Sequence, residues 1–254
     1  MDARTDSGWK RARDIALNLL FPPLCMVCRE QVGMASSLCA ACWQKIGFLD
    51  GPCCECCGLP FEFDPGPGTL CATCLARPPA FDRARAVMRY DEASKAPILA
   101  LKHADRLDHV PGFARWLMRV GRVLLDEADV IIPVPLHGRR LWARRYNQAA
   151  ELARALSRLS GKPAQNRVLL RAKPTQSQGE MPSAQARRRN VQGVFAVEAK
   201  MRPLVYGKVV LLIDDVLTTG ATVEACARAL KRAGTQKVHV LALARVVRPL
   251  SSDI

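Results

Sequence analysis

Ten of the eleven cysteines fall between residues 25 and 74. They come as close pairs: Cys25-x-x-Cys28, Cys39-x-x-Cys42, an overlapping set at Cys53, Cys54, Cys56 and Cys57, and Cys71-x-x-Cys74. A segment this short cannot bury enough apolar surface to order itself, so the thiols must supply the framework. Four C-x-x-C pairs match two tetrahedral Cys₄ zinc sites. A disulfide mini-domain is the rival. It fits poorly, because tight C-x-x-C pairs suit a knuckle around one ion and no export signal is read ahead of them.

The third pair reads two ways, as Cys53/Cys56 or as Cys54/Cys57. Cys54/Cys57 is preferred because Gly58 follows directly, and a knuckle often turns on a glycine after its second thiolate. Sequential pairing then gives Cys25, Cys28, Cys39 and Cys42 for one ion, and Cys54, Cys57, Cys71 and Cys74 for the other. Spacing leaves a cross-braced arrangement open. Four thiolates per ion leave no open coordination position, so the zinc is structural. It supplies on the order of 10 kcal/mol of folding free energy in such modules. The expectation is that chelation unfolds this segment while the rest of the chain stays folded.

The second constraint lies at residues 208–222, Lys-Val-Val-Leu-Leu-Ile-Asp-Asp-Val-Leu-Thr-Thr-Gly-Ala-Thr. An apolar run ends in Asp214 and Asp215, a short hydroxyl- and glycine-rich loop follows, and a helical pattern starts at Val223. This order reads as a buried parallel strand, a loop at its C-terminal end and a helix N-terminus. Loop amides, the hydroxyls of Thr218, Thr219 and Thr222, and the helix dipole suit a phosphate. The two carboxylates suit sugar hydroxyls or hydrated Mg²⁺. Together they point to phosphoribosyl pyrophosphate (PRPP). Neither a P-loop string nor a dinucleotide-binding G-x-G-x-x-G occurs in the chain.

The formal charge is +15, unevenly spread. Residues 139–189 hold thirteen Lys/Arg against two acids, a net of +11. Such a field attracts polyanions: PRPP, nucleic acid or an acidic partner. Two Zn(Cys⁻)₄ centres would lower the whole-chain figure to about +11, so the protein stays basic. No apolar run approaches the roughly 20 residues that span a bilayer. Ile15–Phe21 is short, contains Asn18 and runs into Pro22-Pro23, so residues 1–24 read as a short amphipathic helix and the location as cytoplasmic.

The zinc segment reads as residues 25–77, with a hinge at Arg77-Pro78-Pro79, and residues 78–254 as a second unit. There, strands are expected at Ala84–Tyr90, Val130–Ile132, Lys208–Ile213 and Val238–Val247. Helices are expected at Ala93–His103, Val110–Leu125, Leu141–Leu159 and Val223–Ala233. Asn166–Ala199 is basic and weakly patterned, with a loop and a small β excursion. This alternation predicts an α/β fold with a parallel sheet and helices on both faces. Ligands in such sheets bind beyond the strand C-termini, which places Pro133-Val134-Pro135 and Asp214-Asp215 on one edge. Cys226, on the last helix, reads as a core filler.

The ordered set of cysteine pairs, Val134-Pro135-Leu136, Arg139-Arg140, Arg144-Arg145-Tyr146-Asn147-Gln148-Ala149, Thr175-x-x-Gln178, Arg187-x-x-Asn190-Val191-x-Gly193-x-Phe195 and Asp214–Thr222 resembles the ComF/GntX family over nearly the whole chain. These are phosphoribosyltransferase-like proteins with an N-terminal double zinc ribbon. The family commonly reads Arg-Gly-Phe-Asn-Gln where this chain has Arg145 and Tyr146 in place of Gly and Phe. The resemblance implies a type I phosphoribosyltransferase fold. It also implies support of single-stranded DNA uptake in natural competence, alongside a helicase-like ComF partner.

By the same resemblance, Asp214, Asp215, Val216, Leu217, Thr218, Thr219, Gly220, Ala221 and Thr222 would cradle the 5-phosphate and ribose, with Asp214 and Asp215 acting directly or through Mg²⁺. The Pro133–Arg140 turn, with Val134 and Pro135, would face the pyrophosphate, a cis X–Pro bond being one way to shape it. Arg139, Arg140, Arg144 and Lys102 are candidates for the diphosphate charge. Thr218 stands where purine-salvage relatives carry an acid that handles the base's ring proton. Three functional classes follow: an active transferase, a PRPP-binding module without turnover, and a single-stranded nucleic-acid binder that uses the basic face and zinc ribbons. The few aromatic residues do not suggest a base-stacking platform.

Overall fold

A computed structural model describes residues 21–103, 106–136, 146–171 and 193–247. The expected N-terminal helix, Arg139, Arg140, Arg144, Arg145, Thr175, Gln178, Arg187, Asn190 and Val191 lie outside the described residues.

The larger unit is built on four parallel strands: β1 (Arg83–Arg89), β2 (Val130–Pro133), β5 (Val209–Leu217) and β6 (Lys237–Arg245), in the order β1-β6-β5-β2. A short antiparallel pair, β3 (Leu169–Arg171) with β4 (Phe195–Val197), is the β excursion expected in 166–199. Strands buried on both faces need apolar residues at every position, and β5 and β6 supply them. Val210 and Leu212 face one core layer and Leu211 and Ile213 the other.

In chain order the helices are α1 (Ala40–Lys45), α2 (Ala72–Ala76), α3 (Glu92–His103), α4 (Val110–Val120), α5 (Arg122–Glu127), α6 (Gln148–Ser160) and α7 (Ala221–Arg232). The helix expected over Val110–Leu125 is broken at Gly121. A β-carbon there would collide with the Leu241 side chain of β6, so the chain turns where the sheet comes closest. α3 opens with a reciprocal cap: Ser94 N donates to Asp91 Oδ1 at 3.0 Å and Asp91 N to Ser94 Oγ at 2.9 Å. It carries Pro97 in its interior, which removes one backbone donor and weakens the turns around it. α6 is capped by Asn147 and ends on Gly161 at φ 73°.

The zinc segment docks on the sheet. β1 is an edge strand, and residues 47–58 cover that edge. Leu49 N donates to Val87 O (2.9 Å), Arg89 N to Gly47 O (2.8 Å) and Ala84 N to Cys56 O (2.6 Å). An exposed strand edge invites pairing with other chains, and this one is closed from within. Ser36 sits on α4 where Gly112 leaves room for its carbonyl, and Arg115 donates to Ala35 O and Ser36 O. Trp43, Phe48, Trp116 and Phe113 continue the seam, with ring centroids 4.4–6.0 Å apart.

Candidate functional site

The cysteines form two sequential tetrads, Cys25/Cys28/Cys39/Cys42 and Cys54/Cys57/Cys71/Cys74, with all sulfurs of a set within 4.8 Å of one another. A tetrahedral Zn–S bond of about 2.3 Å demands S···S edges of about 3.8 Å. Cys28–Cys39 and Cys57–Cys71 lie at 3.5 and 3.7 Å, so both sets fit the ion. The second set is built from Cys54 and Cys57 rather than Cys53 and Cys56.

Local structure explains the fit. In each set the second pair opens a short helix: Cys39 caps α1 and Cys71 caps α2. Their amides donate to the first thiol, Cys39 N to Cys25 Sγ (3.4 Å) and Cys71 N to Cys54 Sγ (3.2 Å). Burial opposes ionisation of Cys25, yet the backbone donors of Cys39, Val27 and Cys28 bring it down to about 6. Burial and then the neighbouring sulfurs push Cys42 up to about 12. One thiolate forms readily and resists the next, a repulsion that a dication removes.

Each knuckle closes on a residue in the left-handed region. Arg29 follows Cys28 at φ 67° and Gly58 follows Cys57 at φ 68°. The knuckle turn is thus made in the first ribbon without a glycine. In the second ribbon Gly58 serves that turn as expected, and it is required for a further reason: a β-carbon would run into the Ala84 carbonyl oxygen of β1.

At the other end of the sheet, β5 is longer than expected and runs through both aspartates to Leu217. Strand alternation therefore sends Asp214 and Asp215 to opposite faces. Asp215 meets α3, where Lys102 Nζ lies 3.2 Å from its Oδ2 and both side chains are under one-fifth exposed. Asp214 lies towards α7 and β3, where it feels the charge of Arg171 and itself raises the buried Cys226 thiol. Cys226 is fully buried in that core, as expected. Desolvation first, and the Asp215 charge second, raise the Asp214 carboxyl to about 7.

Thr218 is exposed, and Thr219 Oγ1 is buried with no hydrogen-bond partner. Gly220 takes φ 75° and caps α7 without a side chain of its own. A small, open cleft is lined by Asp214, Val216, Leu217, Thr218, Gly220, Ala221, Thr222 and Val223. Threonine hydroxyls beside the positive end of a helix fit a phosphate group.

The β2 turn joins the same edge. Pro133 pairs with Ile213, and Val134 N donates to Ile213 O at 2.9 Å. The cis bond expected there is absent: no described peptide bond is cis. Lys102, Val134, Pro135, Asp214, Asp215 and the loop through Thr222 thus converge on one edge of the sheet. Sequence reading gave no role to Arg171; its separation from Asp214 along the chain left no local signal.

Matches to family models cover both units: a double zinc ribbon domain over residues 16–75 and a phosphoribosyl transferase domain over residues 118–250. The chain belongs to the competence protein F-like family of phosphoribosyltransferase-domain proteins that carry a double zinc ribbon. Among its relatives is the DNA utilization protein YhgH of Escherichia coli K12, 32% identical over 90% of this chain and all of that one. The YhgH protein of Salmonella typhimurium is 30% identical over the same shares. Competence protein F of Haemophilus influenzae is 34% identical over 69% of this chain and 78% of its own. Among the described residues no helix is long and apolar enough to cross a membrane.

Proposed function

We propose that this chain binds PRPP together with Mg²⁺ at the C-terminal edge of the sheet, within residues 78–254, and that the zinc ribbons of residues 25–77 brace that unit. The observation that carries the reading is the cleft at the end of β5, where Asp214, Thr218 and Thr222 line the N-terminus of a helix that its Gly220 N-cap leaves without a side-chain cap. The amides of the 218–222 loop and the Thr218, Thr219 and Thr222 hydroxyls would take the 5-phosphate. Asp214 and Asp215 would hold the ribose hydroxyls and Mg²⁺; when bound, the ion neutralises charge on the diphosphate. Lys102 and the turn at Val134-Pro135 face that side, and Arg139, Arg140 and Arg144 are the cations supplied by the adjoining segment. Thr218 offers no acid for a purine ring proton, which disfavours hypoxanthine and guanine as acceptors.

The relatives' names, DNA utilization protein and competence protein F, bring to this chain a role in handling DNA taken up by a cell. Direct binding of single-stranded DNA would fall to the basic segment rather than the ribbons. Residues 21–77 hold three Lys/Arg against five Asp/Glu, and each loaded zinc centre adds negative charge.

Calorimetric titration with PRPP and Mg²⁺ tests the reading. Saturable binding is expected, abolished by the double replacement Asp214→Asn with Asp215→Asn while two zinc ions per chain are retained. Undiminished affinity in the folded double variant would overturn it. Pyrophosphate release with a panel of nucleobases separates transfer from binding alone.

A further inference from the structure

Three consecutive side chains at the start of α6 are spent on backbone carbonyls of other elements. Tyr146 Oη donates to Leu101 O at 2.6 Å, Asn147 Nδ2 to Val134 O at 3.0 Å and Gln148 Nε2 to Lys102 O at 3.3 Å. Two of the three acceptors belong to the last turn of α3, where carbonyls have no intrahelical partner. Asn147 Oδ1 meanwhile accepts from Ala149 N, which locks the donor side of its amide towards β2. The residue fixed between these bonds is Lys102, whose ammonium sits on Asp215.

We propose that Tyr146, Asn147 and Gln148 form a clasp that positions Lys102 against Asp215 for ligand binding; the proposal rests on the PRPP reading of that edge. The three are positioning residues: they hold the end of α3 and the end of β2 in register, so that Lys102 and the Val134 turn face the aspartates together. An ammonium has three donors, so Lys102 can keep Asp215 oriented while offering a further N–H to a diphosphate oxygen.

The test uses the full zinc-loaded chain. Lys102→Met is expected to weaken PRPP binding by about tenfold or more, the worth of a charge-assisted contact. Tyr146→Phe and Gln148→Met each remove one donor and are expected to cost about threefold to tenfold. Gln148→Met also removes the buried, unpartnered Gln148 Oε1, so its melting temperature should move little. The decisive measurement is Tyr146→Phe in the Lys102→Met background, where its effect on affinity should nearly vanish. Additive losses, or unchanged affinity in Lys102→Met, would overturn the proposal. Hydrogen exchange of the last turn of α3 reads the clasp without PRPP. Faster exchange in Tyr146→Phe is expected, and unchanged exchange would overturn the clasp. A wild-type chain that binds no PRPP, yet shows the exchange effect, would refute the site reading and with it the clasp's purpose, leaving only its mechanical part standing.

Discussion

Replacing Gly58 with alanine should separate the zinc ribbon from the sheet it covers. Two costs add. The left-handed φ of 68° costs an L-residue about 1–2 kcal/mol. The new methyl then meets the Ala84 carbonyl oxygen, a backbone atom of β1 that cannot rotate away. Forcing β1 outward breaks the 2.6 Å bond from Ala84 N to Cys56 O and disturbs Arg85, which bridges to Glu55. Overpacking of this kind adds about 1–3 kcal/mol, so the total is about 2–5 kcal/mol. The chain carries its own control for the first cost. Gly66 has φ 89° and open space around it, so Gly66→Ala bears the backbone cost alone. The assay is denaturant-induced zinc release followed with a chromophoric chelator, together with the thermal midpoint. Gly58→Ala should release the ions at clearly lower denaturant than Gly66→Ala. If the two variants behave alike, the contact between ribbon and β1 contributes no stability and the docking argument fails.

Other outcomes follow from the same geometry. Under a chelator, the first tetrad should empty before the second, because Cys28 is exposed while three of the four cysteines of the second set are buried; simultaneous release in a time course would contradict this. Chelation should also raise hydrogen exchange along β1, since the covering strand edge is lost, whereas exchange in β5 should hold. PRPP·Mg²⁺ affinity should rise between pH 6 and pH 8, because the Asp214 carboxyl titrates near 7 and only its ionised form binds a cation; a flat profile would refute that role. Burial lowers the pKa of His109, outweighing the neighbouring Asp108 carboxylate. The unfolded chain therefore takes up its proton first, and this contribution to stability is full above about pH 6.5 and lost as pH falls below it. A thermal midpoint that drops less between pH 7.5 and 5.5 in His109→Leu than in the parent would bear this out, and an equal drop would not.

Much of the architecture could be read without coordinates because it rests on local chemistry. A C-x-x-C pair is a complete half-site wherever it folds, so the pairs could be read from spacing and one glycine, whereas their sequential grouping is decided by the fold. The apolar run ending at Asp214 needed burial on both faces, and its turn residues announced the helix that follows. Pattern could not reveal relations between distant segments. Strand alternation hid the fact that Asp214 and Asp215 face opposite layers, since the apolar-to-acid boundary looked like the end of the strand while β5 continues to Leu217. The break at Gly121 depends on Leu241, and the need for Gly58 depends on Ala84. The pairing of Lys102 with Asp215, the bonds from Tyr146 and Gln148 to α3, and the docking of the ribbons on β1 each join residues that only the folded chain brings together. Spacing along the chain decides which atoms can share an ion or a turn; packing decides which surfaces meet, and the site's orientation belongs to the second.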